Sequence, residues 1–256
     1  MTMKRIAAST CCRASLIAAL AWWITVLAGP TAVGAAPMTA VGGFDHYAGA
    51  AGQTTNGVLG AVVLGAAGGD VTVAAVRFDD SDAGQGFSVT GGIGVPVAPA
   101  LMLRVAGTRF VGEQDLRAWR AKVGPQFALP GGRTVTLSYS HYRNHLGARS
   151  NAGIAEATSP LVPRLSGRAA ASFAGAPQGA PVLQGSVGLG WTMVPHVDLT
   201  GEAGFVNSEG GAGAPGSPGG GLLGGLPLVG GGSGGSSDAE RLTYGTLSLG
   251  VRVTWP

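Results

Sequence analysis

The strongest constraint on this chain is a period-2 alternation of apolar and small or polar residues that recurs along most of its length. In the last segment Leu247, Leu249, Val251, Val253 and Trp255 share one face, while Thr246, Ser248, Gly250, Arg252 and Thr254 share the other. Leu183, Val187, Leu189, Trp191 and Met193 oppose Gln184, Ser186, Gly188, Gly190 and Thr192 in the same way. Val135, Leu137 and Tyr139 oppose Thr134, Thr136, Ser138 and Ser140. From Met38 onward no stretch holds a 3.6-residue period, which points to strands throughout. The 47 glycines argue against helices as well, since each would cost about 1 kcal/mol relative to Ala inside one.

Turn signals divide the chain into about twelve strands (10 to 12 is the range the pattern allows), near residues 38–47, 56–66, 69–79, 86–97, 99–111, 116–128, 132–143, 152–160, 164–175, 181–194, 196–207 and 241–255. Several exceed the roughly 5 to 6 residues of a soluble strand. They match the roughly 9 to 11 residues with which a tilted strand crosses a bilayer. The connections alternate in character. Short ones at Ala67-Gly68, Pro96 to Pro99, Pro130-Gly131, Leu161 to Pro163 and Val194-Pro195 alternate with longer, more polar ones, including Asp79 to Asp82, Arg143 to Asn151 and residues 208–240. The short links at 112–115 and 175–180 break the pattern.

A soluble alternative, a secreted β-sandwich, explains the alternation but not the polar face. Only 11% of residues are charged, against roughly 25% in soluble domains, and the polar face is mostly Ser, Thr, Gly and Ala. On the opposite face Phe127, Trp191 and Trp255 lie near the short-turn end. Phe87, Trp119, Tyr139, Phe173 and Phe205 lie nearer the long-loop end. Two bands of aromatic rings mark two membrane interfaces.

Residues 1–36 read as a cleaved secretory signal peptide: basic Lys4, Arg5 and Arg13, an apolar run from Leu16 to Leu27, then small residues at Val33-Gly34-Ala35-Ala36 before Pro37. The run is shorter than the roughly 20 residues of a membrane-spanning helix. Removing the segment takes away three of the 16 basic residues, leaving 13 against 13 acidic ones. The basic balance of the whole chain therefore gives no reason to expect nucleic acid as a partner. Cys11 and Cys12 leave with the signal, so the mature chain has no disulfide, thiolate nucleophile or Cys metal ligand.

With its signal, its strand count and its closing strand Tyr244 to Trp255, the chain resembles Gram-negative outer-membrane β-barrel proteins. The resemblance implies one all-β domain over residues 37–256, a single antiparallel up-and-down transmembrane β-barrel of about twelve strands. It implies a place in the outer membrane, lipid around the barrel, and the barrel assembly machinery as a partner. In that class a terminal aromatic residue serves as the assembly signal, a role that falls to Trp255, although Pro256 follows it here. The likeness is one of architecture and names no subfamily; with the residues of the predicted inward face, it makes the expected function a narrow porin-like channel, or a structural or binding barrel, for small polar solutes.

The candidate chemistry is sparse. His141 and His145 would lie roughly 13 Å apart on an extended strand, too far to share a metal, and neither His46 nor His196 completes a ligand set. A lipid-modifying hydrolase of the outer membrane is the enzymatic alternative. Barrel phospholipases and deacylases use a His and a Ser close together on a lipid-facing strand. Here His141 and Ser140 are adjacent and so face opposite ways, while His145 and Ser150 fall in a predicted loop without the His-x-Ser spacing. No phosphate or dinucleotide loop is present, and no cofactor is expected.

Charged groups on the predicted inward face carry more information. If odd positions of the fifth and sixth strands face lipid, Arg104, Arg120 and Lys122 line the lumen, joined by Arg168 and Arg252. Glu156, Asp198 and Glu202 face inward too. Basic groups on the fifth and sixth strands and acidic ones on the eleventh would then lie on different arcs, with a field across a water-filled lumen and a slight anion preference; the equal alternative is a network of ion pairs that fills a closed barrel. Residues 208–238 form a Gly-rich low-complexity loop with an apolar island at Leu222, Leu223, Leu226, Leu228 and Val229. Such a composition suits an exterior loop; the alternative is an island that tucks into the barrel mouth as a constriction.

Overall fold

The computed structural model describes residues 37–49, 54–66, 68–80, 84–113, 117–145, 147, 149–176, 179–209 and 241–255. The segment 1–36 expected to be a signal peptide, the low-complexity segment from 210 on, and Pro256 lie outside the described residues. Twelve strands account for nearly all the rest: β1 Met38–Gly49, β2 Thr54–Ala66, β3 Gly69–Asp80, β4 Gly84–Ala98, β5 Leu101–Gly112, β6 Arg117–Leu129, β7 Arg133–Asn144, β8 Arg149–Val162, β9 Leu165–Ala176, β10 Gly179–Val194, β11 Val197–Glu209 and β12 Arg241–Trp255. Each pairs antiparallel with its sequence neighbours, and β1 pairs with β12 to close the barrel. The closing seam runs from Met38 opposite Trp255 to Gly49 opposite Tyr244. No helix occurs among the described residues.

At one end of the barrel five connections of two or three residues join β2 to β3, β4 to β5, β6 to β7, β8 to β9 and β10 to β11. They hold most of the left-handed residues: Gly68 (φ 82°), Gly131 (77°) and Gly132 (72°), with Arg164 (69°) and His196 (70°) as the non-glycine cases. At the other end lie the remaining six links. The short links near 112–115 and 175–180 belong to this second end, so the expected difference in connection length between the two ends holds only in part.

Two spans depart from the sequence expectation. The stretch from Arg143 to Asn151 is mostly strand, because β7 and β8 stay paired up to Arg143 opposite Arg149. Only 145–148 connect them. Ser208 and Glu209 belong to β11, opposite Leu242 and Arg241 of β12, so the Gly-rich segment starts after the strand and not at 208.

Strand parity divides the side chains into two populations. Outward ones are large and apolar: Val73, Ile93, Val187 and Leu249 are all exposed, Val187 to 66%. In water such a continuous apolar exterior would be an aggregation surface; facing hydrocarbon it is the favoured state. Phe87, Trp119, Tyr139, Phe173 and Phe205 project outward toward the loop end, and Phe127 and Trp191 toward the turn end.

The inward face is built from small residues wherever neighbouring strands crowd. Gly124 is the tightest point: a Cβ there would collide with the backbone of Leu137 and Ser138 on β7. The β6–β7 pairing skips from Val123–Tyr139 to Gln126–Thr136 at this place, where Pro125 has no N–H to give a ladder. Gly124→Ala is therefore expected to destabilise the barrel by about 1–3 kcal/mol through overpacking. The loss should appear as a lower temperature at which the folded form converts to the slower-migrating unfolded form in gel electrophoresis.

Candidate functional site

The described strands enclose the interior of the barrel, and its two sides differ. Across β1 to β3, Val41, Leu59, Ala61 and Ala74 pack into an apolar cluster with Val76 against it. From β4 to β10 the wall is dominated by hydroxyls and charges. A cavity of about 320 Å³ lies along this polar arc. Thr and Ser side chains line it, together with Arg104, Arg120, Lys122, Gln126, Glu156 and Gln184.

The charged residues expected to face inward take the following places in the register. Arg104 of β5 lies opposite Gly94 and Gly124, Arg120 and Lys122 of β6 opposite Tyr142 and Ser140, and Glu156 of β8 opposite Thr136. Arg168 of β9 lies opposite Gly188, and Glu202 and Asp198 of β11 opposite Gly188 and Thr192. Arg252 of β12 lies opposite Asp198. Trp255 ends β12 opposite Met38.

Their grouping differs from the expectation of separate basic and acidic arcs. Lys122 Nζ donates to Glu156 Oε1 at 2.7 Å, and Arg168 donates to Glu156 Oε2 at 2.9 Å and to Glu202 Oε2 at 2.8 Å. These four residues form one alternating chain of charge from β6 to β11. Arg252 lies 3.9 Å from Asp198, which also accepts from Thr192 Oγ1 at 2.6 Å. Because the strands tilt, a residue on one strand meets one two strands on, which lies 34 positions away in the sequence for Lys122–Glu156, Arg168–Glu202 and Arg104–Asp70.

Asp70 was absent from the expected set. It faces inward from the start of β3 and receives two hydrogen bonds from Arg104, at 2.9 and 2.8 Å; Arg104 Nε also donates to Gln126 Oε1. Asp45 of β1 sits in the same register row as Glu202, with Ser248 between them. Carrying even parity back along β3 would have placed Asp70 inward, but the apolar stretch just before it blurs which face is which. The lumen therefore holds interleaved opposite charges, and the field expected across it is largely cancelled by contact pairs.

Inward aromatics are the other feature that sequence reading missed. Phe110 is 0% exposed and packs with Ala118 and Tyr142, its ring 6.3 Å from that of Tyr142. The Arg120 guanidinium lies 5.4 Å from the Phe110 centroid. Phe78 of β3 is equally enclosed. These rings lie toward the loop end and narrow the interior above the ionic chain. Even parity from Arg104 to Phe110 on β5 carries this signal.

The groups weighed for hydrolysis separate onto different faces. Ser140 and Ser150 are buried inside, Ser150 opposite Tyr142. His141 faces outward, its Nδ1 2.7 Å from Asn151 Oδ1, which also accepts from the Tyr139 hydroxyl at 2.7 Å. His145 lies in the β7–β8 connection. Two positions beyond His141, on the same face, stands Arg143, which has no oxygen to act as a nucleophile.

Compared with known proteins, the chain matches no family model and no curated protein sequence. Solved structures do match. The KdgM porin, solved alone and in complex with disordered oligogalacturonate, superposes with a TM-score of 0.57 at 10% identity, over 84% of this chain and 99% of the porin. An outer-membrane channel from Pseudomonas putida F1 gives 0.56 at 10% identity, over 88% and 97%. The CymD monoaromatic hydrocarbon channel gives 0.50 at 6%, over 87% and 89%. At these identities the likeness is one of fold, and the chain has the porin-like architecture of the outer-membrane β-barrels.

Phe110→Ala removes the ring that fills the upper interior and supports Arg120. A loss of about 3 kcal/mol or more is expected from the cavity left behind. A lower urea midpoint of the refolded barrel, followed by tryptophan fluorescence, would show it.

Proposed function

We propose that this chain is an outer-membrane channel, narrow and selective for small polar solutes, whose long loops face outside and whose short turns face the periplasm. The observation that carries the reading is the hydroxyl-lined cavity of about 320 Å³ inside a closed twelve-strand barrel. Apolar side chains fill the interior along part of β1 to β3 and again at Ala152, Ala174 and Val182, while hydroxyls and charges surround the cavity. The hydroxyls of the other arc replace water around a passing solute, and Lys122, Glu156, Arg168 and Glu202 offer both charge signs within one reach. Such a lumen discriminates by size and polarity more than by net charge. The porin-like fold of the superposed channels supports the reading, as does the lipid-compatible exterior. In this reading residues 1–36 are the export signal, Trp255 engages the assembly machinery, and lipid is the surrounding partner.

The hydrolase alternative finds an imidazole at His141 held by Asn151, but the hydroxyl beside it on that face is the Tyr139 phenol, which donates to the same Asn151 oxygen, and Ser140 and Ser150 point inward. The channel reading is therefore preferred.

Two measurements test the proposal. Cell fractionation should place the protein in the outer membrane with heat-modifiable gel migration; recovery as a soluble monomer would refute it. In a planar bilayer the purified protein should give small discrete current steps, and a folded but electrically silent barrel would make it a structural or binding protein. Glu156→Gln removes the carboxylate that neutralises Lys122 and Arg168 together. Lys122 then loses its ion-pair partner, the chain with Arg168 and Glu202 carries one net positive charge, and under a salt gradient the reversal potential should move toward higher anion permeability.

A further inference from the structure

The channel reading leaves a cluster on the outer surface of the barrel unused. Arg109 of β5, Trp119 of β6, Arg143 of β7 and Arg149 of β8 are successive cross-strand partners in a single register row. With strands about 4.8 Å apart, the row spans roughly 15 Å. All four side chains are exposed and share the outward parity of Phe127 and Leu137. Arg117 lies two residues before Trp119 on the same face. One rung below, His141 stacks near Trp119, the ring centroids 5.3 Å apart, and is held by Asn151.

The charge of this patch is one-sided. Among the described residues Arg109, Arg143 and Arg149 make no ion pair, and no carboxylate projects outward from β5 to β8. Glu156 faces the lumen, while Glu113, just beyond β5, accepts from the Gln85 backbone N–H on β4. The outward charges on β3 are handled differently: Arg77 donates to Gln85, which in turn donates to Asp79. Guanidinium groups facing hydrocarbon are costly near the midplane and cheap only at the interface. The row therefore sits at the level of the outer interface, beside Tyr139 and Phe173.

Resting on the orientation proposed above, we infer that the Arg109–Trp119–Arg143–Arg149 row is a docking site for the phosphorylated head group of an outer-leaflet glycolipid. Guanidinium groups bind phosphate oxygens in bidentate fashion, and a row of three matches a head group bearing more than one phosphate. The exposed side of the His141 ring adds a donor below them, and the Trp119 ring offers an apolar face to the sugar. A lipid is the occupant because the row opens sideways toward the acyl chains and not into the lumen.

The test is native mass spectrometry of the refolded, full-length mature barrel with diphosphorylated lipid A, dephosphorylated lipid A and inorganic pyrophosphate. The wild type should retain the diphosphorylated lipid at least tenfold better than the dephosphorylated one. The triple variant Arg109→Gln/Arg143→Gln/Arg149→Gln should lose at least tenfold, whereas Arg133→Gln, exposed at the opposite end of β7, should lose nothing. A triple Lys variant keeps the charge in case the Gln variant fails to fold, and should bind about threefold more weakly than the wild type because the bidentate contacts are gone. The proposal is overturned by wild-type retention that ignores the phosphates, by undiminished binding in either triple variant, by equal loss in Arg133→Gln, or by pyrophosphate competing as well as the lipid. Absence of the chain from the outer membrane would overturn the orientation on which this rests. A correctly inserted barrel that fails the lipid assay would overturn the docking site alone.

Discussion

Hydrocarbon offers a peptide group no hydrogen-bond partner, and the rest of this structure follows from that. An unpaired strand edge in the bilayer core would leave a row of N–H and C=O groups unsatisfied at a cost of several kcal/mol each. The pairing of β1 with β12 along the whole of β1 removes the last edge. Once the sheet closes, every strand has one face in lipid and one in the lumen, and the parity of each residue decides which solvent it meets. Val187 at 66% exposure and Glu202 at 5% are both well placed under this rule, the first in lipid and the second within an ion pair.

Closure also fixes which lumen residues meet. A closed sheet must be staggered, so its strands tilt, and a horizontal neighbour in space is displaced along the sequence. Glu156 reaches Lys122 two strands away and Arg168 on the adjacent strand because of that stagger. With side chains 22–28% exposed, these pairs are neither fully solvated nor dry. Each charge is held in place by an opposite one, and the wall presents alternating potential over a short distance instead of a single sign over a wide arc.

Much of this was legible in the sequence, and the boundary is physical. Strand positions and facing follow from alternation alone, because the bilayer sorts Val, Leu and Trp outward and leaves Ser, Thr and Gly inward with little exception. Turns at Pro130-Gly131 and Val194-Pro195 announce one end of the barrel. Partners in the lumen are not local in this sense. Asp70 and Arg104 are 34 positions apart, and nothing near either names the other without the stagger of the closed sheet. The β7–β8 connection was overestimated for a related reason. Polar residues such as Arg149 and Asn151 read as loop, yet at a membrane interface they are normal strand residues.

The same interface logic separates the two arginine populations. Arg104, Arg120 and Arg168 lie inside, where Asp70, the Phe110 ring and Glu156 respectively face their charge. Arg109, Arg143 and Arg149 lie outside, at the loop end, in one row with Trp119. Internal consistency of the barrel explains the first group, since an unpaired lumen charge would sit beside a low-dielectric wall. It does not explain the second, because water and loops at the rim would solvate scattered arginines equally well and nothing in the fold requires three in register. Alignment across four strands aims them at one ligand-sized surface, and among the described residues no outward carboxylate of β5 to β8 supplies the opposite charge that the proposed anionic head group would bring.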